Sequence, residues 1–289
     1  MMYISNQFLF FTMFLFAGMF PAPQSFPETK NIGQEKASEE LIKQYRLSPG
    51  SEVKIANIPF GAILILPIDT DAAEIRVLRA ASTQAELACN KIKIEESSTS
   101  LTVTGNNNGD CRLQNTSIEQ NIVIKLPRNV NIKAISITGP LRIGEIEGRG
   151  PNYVSDRKGN KVLQPSDRED VIGRGFDGSI NIQSISGAVK LVQGTGYSNI
   201  SGVSGPIKIM IRRLSSQGLT VSGTSSTVEI NLGADINSIL EINDIRGRII
   251  NKAGVALDTE GKKSRSRIGS GGAVISVSNV NGDIIVSRK

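Results

Sequence analysis

The sequence predicts an all-β fold: a single-domain β-solenoid in which short strands stack as in a β-helix. Three observations predict it. Apolar and polar residues alternate in one short run after another, which is the strand period. A seven-residue pattern centred on glycine returns along the second half of the chain. Beyond residue 27 the aromatic residues are Tyr45, Phe60, Tyr153, Phe176 and Tyr197, against 37 isoleucines. A thin interior filled from strand to strand suits stiff β-branched side chains. The alternative fold with the same features is a β-sandwich with glycine-rich turns.

The chain opens on a different texture. Phe8 to Phe20 reads FLFFTMFLFAGMF, without a charge. A membrane-spanning helix needs about 20 apolar residues, so the run fits the core of a secretory signal better. Residues 1–27 are therefore read as a signal peptide or N-terminal anchor, and the protein as exported to the periplasm, cell surface or medium. No cysteine lies near this run to carry a lipid. Residues 28–46 read as a linker with one short helix from Ser38 to Tyr45. The domain proper is placed at 47–289.

From residue 50 the strand runs follow in order. They are Val53–Ile55, Ile63–Ile65, Ile75–Val77, Ile92–Ile94, Leu101–Val103 and Ile122–Val123–Ile124. No helical period of useful length interrupts them. Cys89 and Cys111 are the two cysteines. In an exported chain they invite a disulfide, worth about 3 kcal/mol through the unfolded state. Two buried thiols are the other reading.

The repeat is apolar-x-Gly-x-apolar-x-apolar. It stands at Ile137–Ile143 (ITGPLRI), Phe176–Ile182 (FDGSINI), Ile185–Leu191 (ISGAVKL), Val203–Ile209 (VSGPIKI) and Val280–Val286 (VNGDIIV). Gly178, Gly187, Gly196 and Gly205 recur every nine residues, and then the register slips by three at Val228 and Ile230. Strand, glycine-assisted bend and strand, with almost no length between, describe a solenoid. Glycine is expected to supply backbone freedom at each bend. Between two copies lies a polar insert at 149–175, which breaks the strand rhythm.

Composition narrows the chemistry. The chain has no histidine, which removes Ser-His-Asp and Cys-His catalysis and His-based metal sites. Asp69, Asp71 and Glu74, and then Asp167, Glu169 and Asp170, are the nearest carboxylate groups; neither follows a calcium-loop spacing. No catalytic residue, metal ligand or cofactor is assigned. The few scattered aromatics argue against nucleic acid. The net charge of +6 favours anionic partners. Lys262, Lys263, Arg265 and Arg267 could grip an anionic chain. Three residues after each glycine stand Asn181, Lys190, Asn199 and Lys208, expected as one outward polar row; its Lys190 and Lys208 join the candidate binding surface. The expected partner is an envelope or host protein or an anionic polysaccharide. Membrane contact is expected only through an uncleaved N-terminal segment.

These residues bring a family into view. Leu47-Ser-Pro-Gly-Ser-Glu-Val-Lys-Ile-Ala-Asn-Ile, Ile124-Lys-Leu-Pro-Arg-Asn-Val-Asn-Ile and Ile268-Gly-Ser-Gly-Gly-Ala-Val-Ile-Ser-Val-Ser-Asn-Val-Asn-Gly-Asp-Ile stand in that order. Over residues 47–289 the chain resembles the bacterial "putative adhesin" domain family, whose members carry repeated S-G-x-V and N-G-D-I units. The resemblance implies a solenoid-like envelope domain without established chemistry. The insert and the cysteine pair depart from the family pattern. The expected function is a non-enzymatic exported binding or structural module. A polysaccharide lyase or hydrolase, or an envelope sensor acting through a protein partner, are the alternatives.

Overall fold

A strand that alternates apolar and polar residues buries one face only, so it must lie against a second layer. This chain meets the requirement by winding. The computed structural model describes residues 37–107, 118–146, 152–155, 161–164, 173–260 and 262–288, all within one compact unit, Glu35–Lys289. In chain order the elements are β1 (Ala37–Arg46), β2 (Glu52–Ile58), β3 (Ala62–Ile68), β4 (Ala72–Ala81), α1 (Gln84–Cys89), β5 (Asn90–Glu96), β6 (Ser100–Asn107), β7 (Glu119–Pro127), β8 (Asn131–Ile137) and β9 (Leu141–Ile143). The next are β10 (Glu145–Ile146), β11 (Asn152–Ser155), β12 (Lys161–Gln164), β13 (Gly173–Arg174), β14 (Ile180–Ile185), β15 (Val189–Gln193), β16 (Ser198–Ser201) and β17 (Ile207–Ile211). The chain closes with β18 (Leu219–Thr224), β19 (Val228–Leu232), β20 (Ser238–Ile245), β21 (Ile249–Lys252), β22 (Asp258–Glu260), β23 (Lys263–Ile268), β24 (Val274–Val280) and β25 (Ile284–Arg288).

Successive repeat strands alternate between two large sheets. The first runs β1-β4-β7-β3-β9-β15-β17-β19-β25-β21, and the second runs β22-β23-β20-β24-β18-β16-β14-β8-β2-β6-β5. One strand of each sheet makes a coil, and coils pair in parallel and in register. Ile180 lies beside Ser198 and Val189 beside Ile207, so one coil is 18 residues, twice the nine-residue spacing of the glycines. The fold is thus all-β as expected, with the repeat strands shared between two large mixed sheets. The slip at Val228 and Ile230 is an extra three residues before β18: Ser198 pairs with Leu219 and Ile207 with Val228, both 21 apart. The insertion is absorbed in the turn and the sheets keep their register.

The inward side chains form continuous columns. Ile55, Ala134, Ile182, Ile200, Val221, Val277 and Ile242 follow one another across the second sheet. Ile124, Ile65, Ile143, Leu191, Ile209, Ile230 and Val286 do so across the first. Both columns belong to one buried cluster, in which Phe176 is the one aromatic side chain among the described buried residues.

The glycines have a different role from the expected one. Gly139, Gly187 and Gly205 stack one above another with φ outside the left-handed region. A Cβ on Gly187 would lie 2.6 Å from the Pro140 nitrogen and closer still to the Gly139 carbonyl. Backbone packs on backbone there, and a methyl group has no room. Gly178 and Gly196 stack in the same way at the other corner. The conformational demand falls three residues before the first glycine column. Asn57, Ser136, Ser184, Gly202, Gly223, Asn279 and Asp244 all hold φ between 49° and 62°. This left-handed ladder bends seven of the eleven strands of the second sheet into the corner; Gly, Asn and Asp, which tolerate αL, hold five of the positions, and Ser136 and Ser184 hold the other two under strain.

One expectation at the N-terminal side is corrected. Residues 37–46 are a strand, not the end of a linker with a helix. Ala37, Leu41 and Tyr45 are spaced like one helix face, but all ten residues pair antiparallel with β4, Glu39 bonds the buried Arg79 at 2.9 Å and Glu40 bonds Arg76 at 2.6 Å. The ladder outweighs local propensity. The chain also has a helix after residue 50. α1 spans six residues, too few to show a period, and its start is a capping box in which Thr83 and Glu86 bond reciprocally at 3.1 and 3.2 Å.

Candidate functional site

Outward side chains in an in-register parallel sheet repeat at the strand spacing of about 4.8 Å. The second sheet uses this on its outer face. One column runs Lys54, Lys133, Asn181, Asn199, Thr220, Ser276. The neighbouring column runs Ile135, Gln183, Ser201, Ser222, Ser278. From β14 through β24, four adjacent strands therefore present eight uncharged amide or hydroxyl side chains in a two-by-four array, all half-buried. Tyr197 lies at its edge, with its hydroxyl 3.2 Å from Thr220 Oγ1. At one end stand the two lysines, and at the other Glu241 and Asn243 of β20.

The single polar row expected from the sequence is two rows on different sheets. Consecutive half-coils of nine residues alternate sides, so Asn181 and Asn199 face out from the second sheet, while Lys190 and Lys208 face out from the first. There they form a basic column with Arg142, since Arg142 pairs with Lys190 and Lys190 with Lys208. Glu229 follows and binds Lys208 at 3.3 Å. Like charges on adjacent strands repel. Arg142 is half-buried, beside outward-facing Leu64, which is itself buried; this burial pulls its pKa down.

The basic stretch forms β23. Lys263, Arg265 and Arg267 are exposed on one face, while Ser264, Ser266 and Ile268 turn inward. Lys262 is exposed in the turn before them. Acidic residues meet this face in register: Glu241 and Asp258 flank Arg265, and Glu260 lies opposite Lys263. Arg265 lies 3.4 Å from Glu241, and Arg267 bonds the Ser270 carbonyl. Glu241, Asn243, Asp258, Glu260, Lys263 and Arg265 line an open cleft of about 540 Å³, which sets three carboxylates beside two cations. Three carboxylates thus lie against a stretch of four cations.

The other carboxylates sit apart, each with its own cation. Asp69 binds Arg174 at 3.1 Å, Asp71 lies 3.8 Å from Arg46, and Glu74 accepts from Lys125 at 2.8 Å. Among the described residues no group of three His, Cys, Asp or Glu could hold a metal. Asp167, Glu169, Asp170 and Cys111, with the side chain of Cys89, lie outside the described residues, and so the expectation of a disulfide falls outside them too. Of the insert, β11 and β12 form an antiparallel hairpin and β13 pairs with β10.

No family model and no curated protein matches the sequence. Solved structures do resemble the chain. One is described as a putative cell adhesion protein from Clostridium sporogenes, at 16% identity over 88% of this chain and 100% of that one, with a TM-score of 0.43. A putative adhesin from Bacteroides fragilis covers 86% and 97% at 9% identity and a TM-score of 0.30. A putative lipid binding protein from Parabacteroides distasonis covers 86% and 96% at 11% identity, with a TM-score of 0.22. Likenesses this distant carry no argument about the chain. The readings below rest on its own geometry.

The second column of the polar array was missed in the sequence. Its signal is present: Gln183, Ser201, Ser222 and Ser278 each follow a first-column residue by two places. Recognising the array required knowing which half-coils share a sheet.

Proposed function

We propose that this chain is a non-enzymatic, exported binding module of the cell envelope and that the outer face of its second sheet holds polysaccharide. The observation that carries the reading is the two-by-four array of uncharged amides and hydroxyls. A repeating row of donors and acceptors matches a ligand that itself repeats, and an extended glycan presents hydroxyls at every unit. Lys54 and Lys133 extend the array toward anionic glycans. The signal-like N-terminus supports export. The test is affinity electrophoresis and calorimetry of the folded protein against a panel of neutral and anionic polysaccharides. Asn199→Leu combined with Ser222→Leu should weaken binding at least about tenfold, since each lost hydrogen bond contributes about 0.5–1.5 kcal/mol. Asn231→Leu, on the other sheet, should leave it unchanged. Absence of binding across the panel, or equal binding by both variants, refutes the reading.

The cleft between β20, β23 and β22 supports a second reading, a polysaccharide lyase or hydrolase, because it sets Glu241, Asp258 and Glu260 beside Lys263 and Arg265. Paired carboxylates and a basic neighbour are what such chemistry uses. New chain ends released from any of the same polysaccharides, and lost in Glu241→Gln, would establish it.

A further inference from the structure

Spatial order and chain order disagree at the C-terminal end. β20 and β21 are synthesised before β24 and β25, yet they lie outside them. β24 pairs in parallel with β18 on one side and β20 on the other. β25 lies likewise between β19 and β21. The last strands thus fill a slot one coil wide between two coils already made. Ile275, Val277, Val280, Ile284 and Val286 plug it, all 0–1% exposed.

The slot sets demands on its occupant. The incoming strands must bring apolar residues at alternate positions, a residue tolerant of φ 53° at Asn279, and a glycine where Gly282 lies between Ser226 and Gly247. The β14–β15 and β16–β17 segments carry the same pattern but are held in the stack between neighbours on both sides; the same segment of another copy also meets every demand. The tether is short and glycine-rich. Residues 269–273 read GSGGA, with Gly269, Gly271 and Gly272 all at positive φ. They leave β23 beside Ser238 and enter β24 beside Ile239, so they cross over β20.

We propose that the strand pair β24–β25, residues 274–288, is exchangeable between copies. Inserted in cis it closes a monomer; inserted in trans it joins two copies, reciprocally as a dimer or head to tail as a chain. The hinge is the five-residue crossover. Its job is to span two strand spacings, about 10 Å, while arching over the chain at Asn237. Deleting Ser270–Gly272 leaves three Cα steps across that span, about 10 Å when fully extended. No slack remains for the arch, so insertion in cis is blocked.

The test uses the full chain. One preparation carries Ser276→Cys and a second, of different tagged mass, carries Thr220→Cys; these positions face each other in register on β24 and β18, and a mixture of the two tagged parents without these substitutions sets the background from Cys89 and Cys111. The two are unfolded together, refolded at rising concentration and treated with a short bismaleimide. A chain carrying both cysteines fixes the efficiency of cross-linking in cis. Exchange predicts a mixed-mass cross-linked species whose share grows with concentration, reaching at least about a tenth of the cis yield. It also predicts that the loop-deleted variant moves from monomer to dimer or larger on size-exclusion chromatography. No mixed species at any concentration, with efficient cross-linking in cis, overturns the proposal, whether or not the loop-deleted variant folds. A folded, monomeric loop-deleted variant overturns it as well.

Discussion

Gly187→Ser measures how much of this fold depends on backbone lying against backbone. The new Cβ would sit 2.6 Å from the Pro140 nitrogen and nearer to the Gly139 carbonyl, where ordinary contact begins at 3.4 Å. The obstacle is main chain, so no rotamer relieves it, and the two coils must part by about 1.1 Å at the nearest atoms. Three hydrogen bonds flank the site: Leu141 N–H to Ala188 at 2.8 Å, Val189 N–H to Pro206 at 2.9 Å and Ser186 N–H to Ile137 at 2.9 Å. Each contributes about 0.5–1.5 kcal/mol net. Straining them, and loosening the columns at Leu141 and Val189, places the cost near the top of the overpacking range, about 3 kcal/mol. For a domain of this size that lowers Tm by roughly 6–12 °C. Scanning calorimetry with urea unfolding reads it directly. Gly254→Ser is the control. Its Cβ meets nothing within 4 Å, but φ is +67°, so a cost of about 1–2 kcal/mol from backbone conformation alone is expected. The column does carry a Cβ once, at Ser226, in the coil that follows the three-residue insertion. If Gly187→Ser melts within about 1 °C of the parent, the close-approach reasoning is wrong and the glycines serve another purpose.

The left-handed ladder makes a contrasting prediction. Gly202→Val should cost about 2 kcal/mol, whereas Ser184→Gly, at φ 56°, should be neutral or slightly stabilising, because relief of αL strain offsets glycine's entropy. Urea midpoints of the two variants check this. A pH prediction comes from Glu74. A hydrogen bond from Lys125, then its charge, a hydrogen bond from Gln44 and the charge of Arg76, together outweigh burial and hold its carboxyl below the ordinary carboxylate range. A depressed folded pKa stabilises above the unfolded value and is lost as pH falls through the folded one. Glu74→Gln should therefore cost about 0.2–1 kcal/mol at neutral pH, and the difference should vanish in strong acid. Urea unfolding at both pH values reads it, and an equal cost at both would refute the charge-based account.

Much of the architecture is local and therefore legible in one dimension. Alternation at Val53–Ile55, Ile122–Ile124 and the rest marks strands because a pleated strand has period two whatever surrounds it. The nine-residue glycine spacing gives the half-coil, because each corner needs its close approach at the same place. β1 was not legible, since Ala37, Leu41 and Tyr45 satisfy a helix as well as a strand until β4 supplies ten partners. The site was half legible. Asn181, Asn199, Lys190 and Lys208 were visible as outward positions, but whether they face the same way depends on how half-coils are dealt between sheets.

What the sequence alone determined, then, is the strand content, the repeat length and the types of residue that point in or out. These follow from main-chain geometry and solvent preference over a few residues. What only the tertiary structure decided is which coils are neighbours: that the last strand pair enters between coils made earlier, that Glu241 and Asp258 meet the basic strand at Arg265, and that four strands align their amides and hydroxyls into one face. Coils of near-identical pattern are interchangeable in sequence. Their order is set by the summed fit of corners, glycine columns and interior volume, and that sum exists only once the stack is assembled.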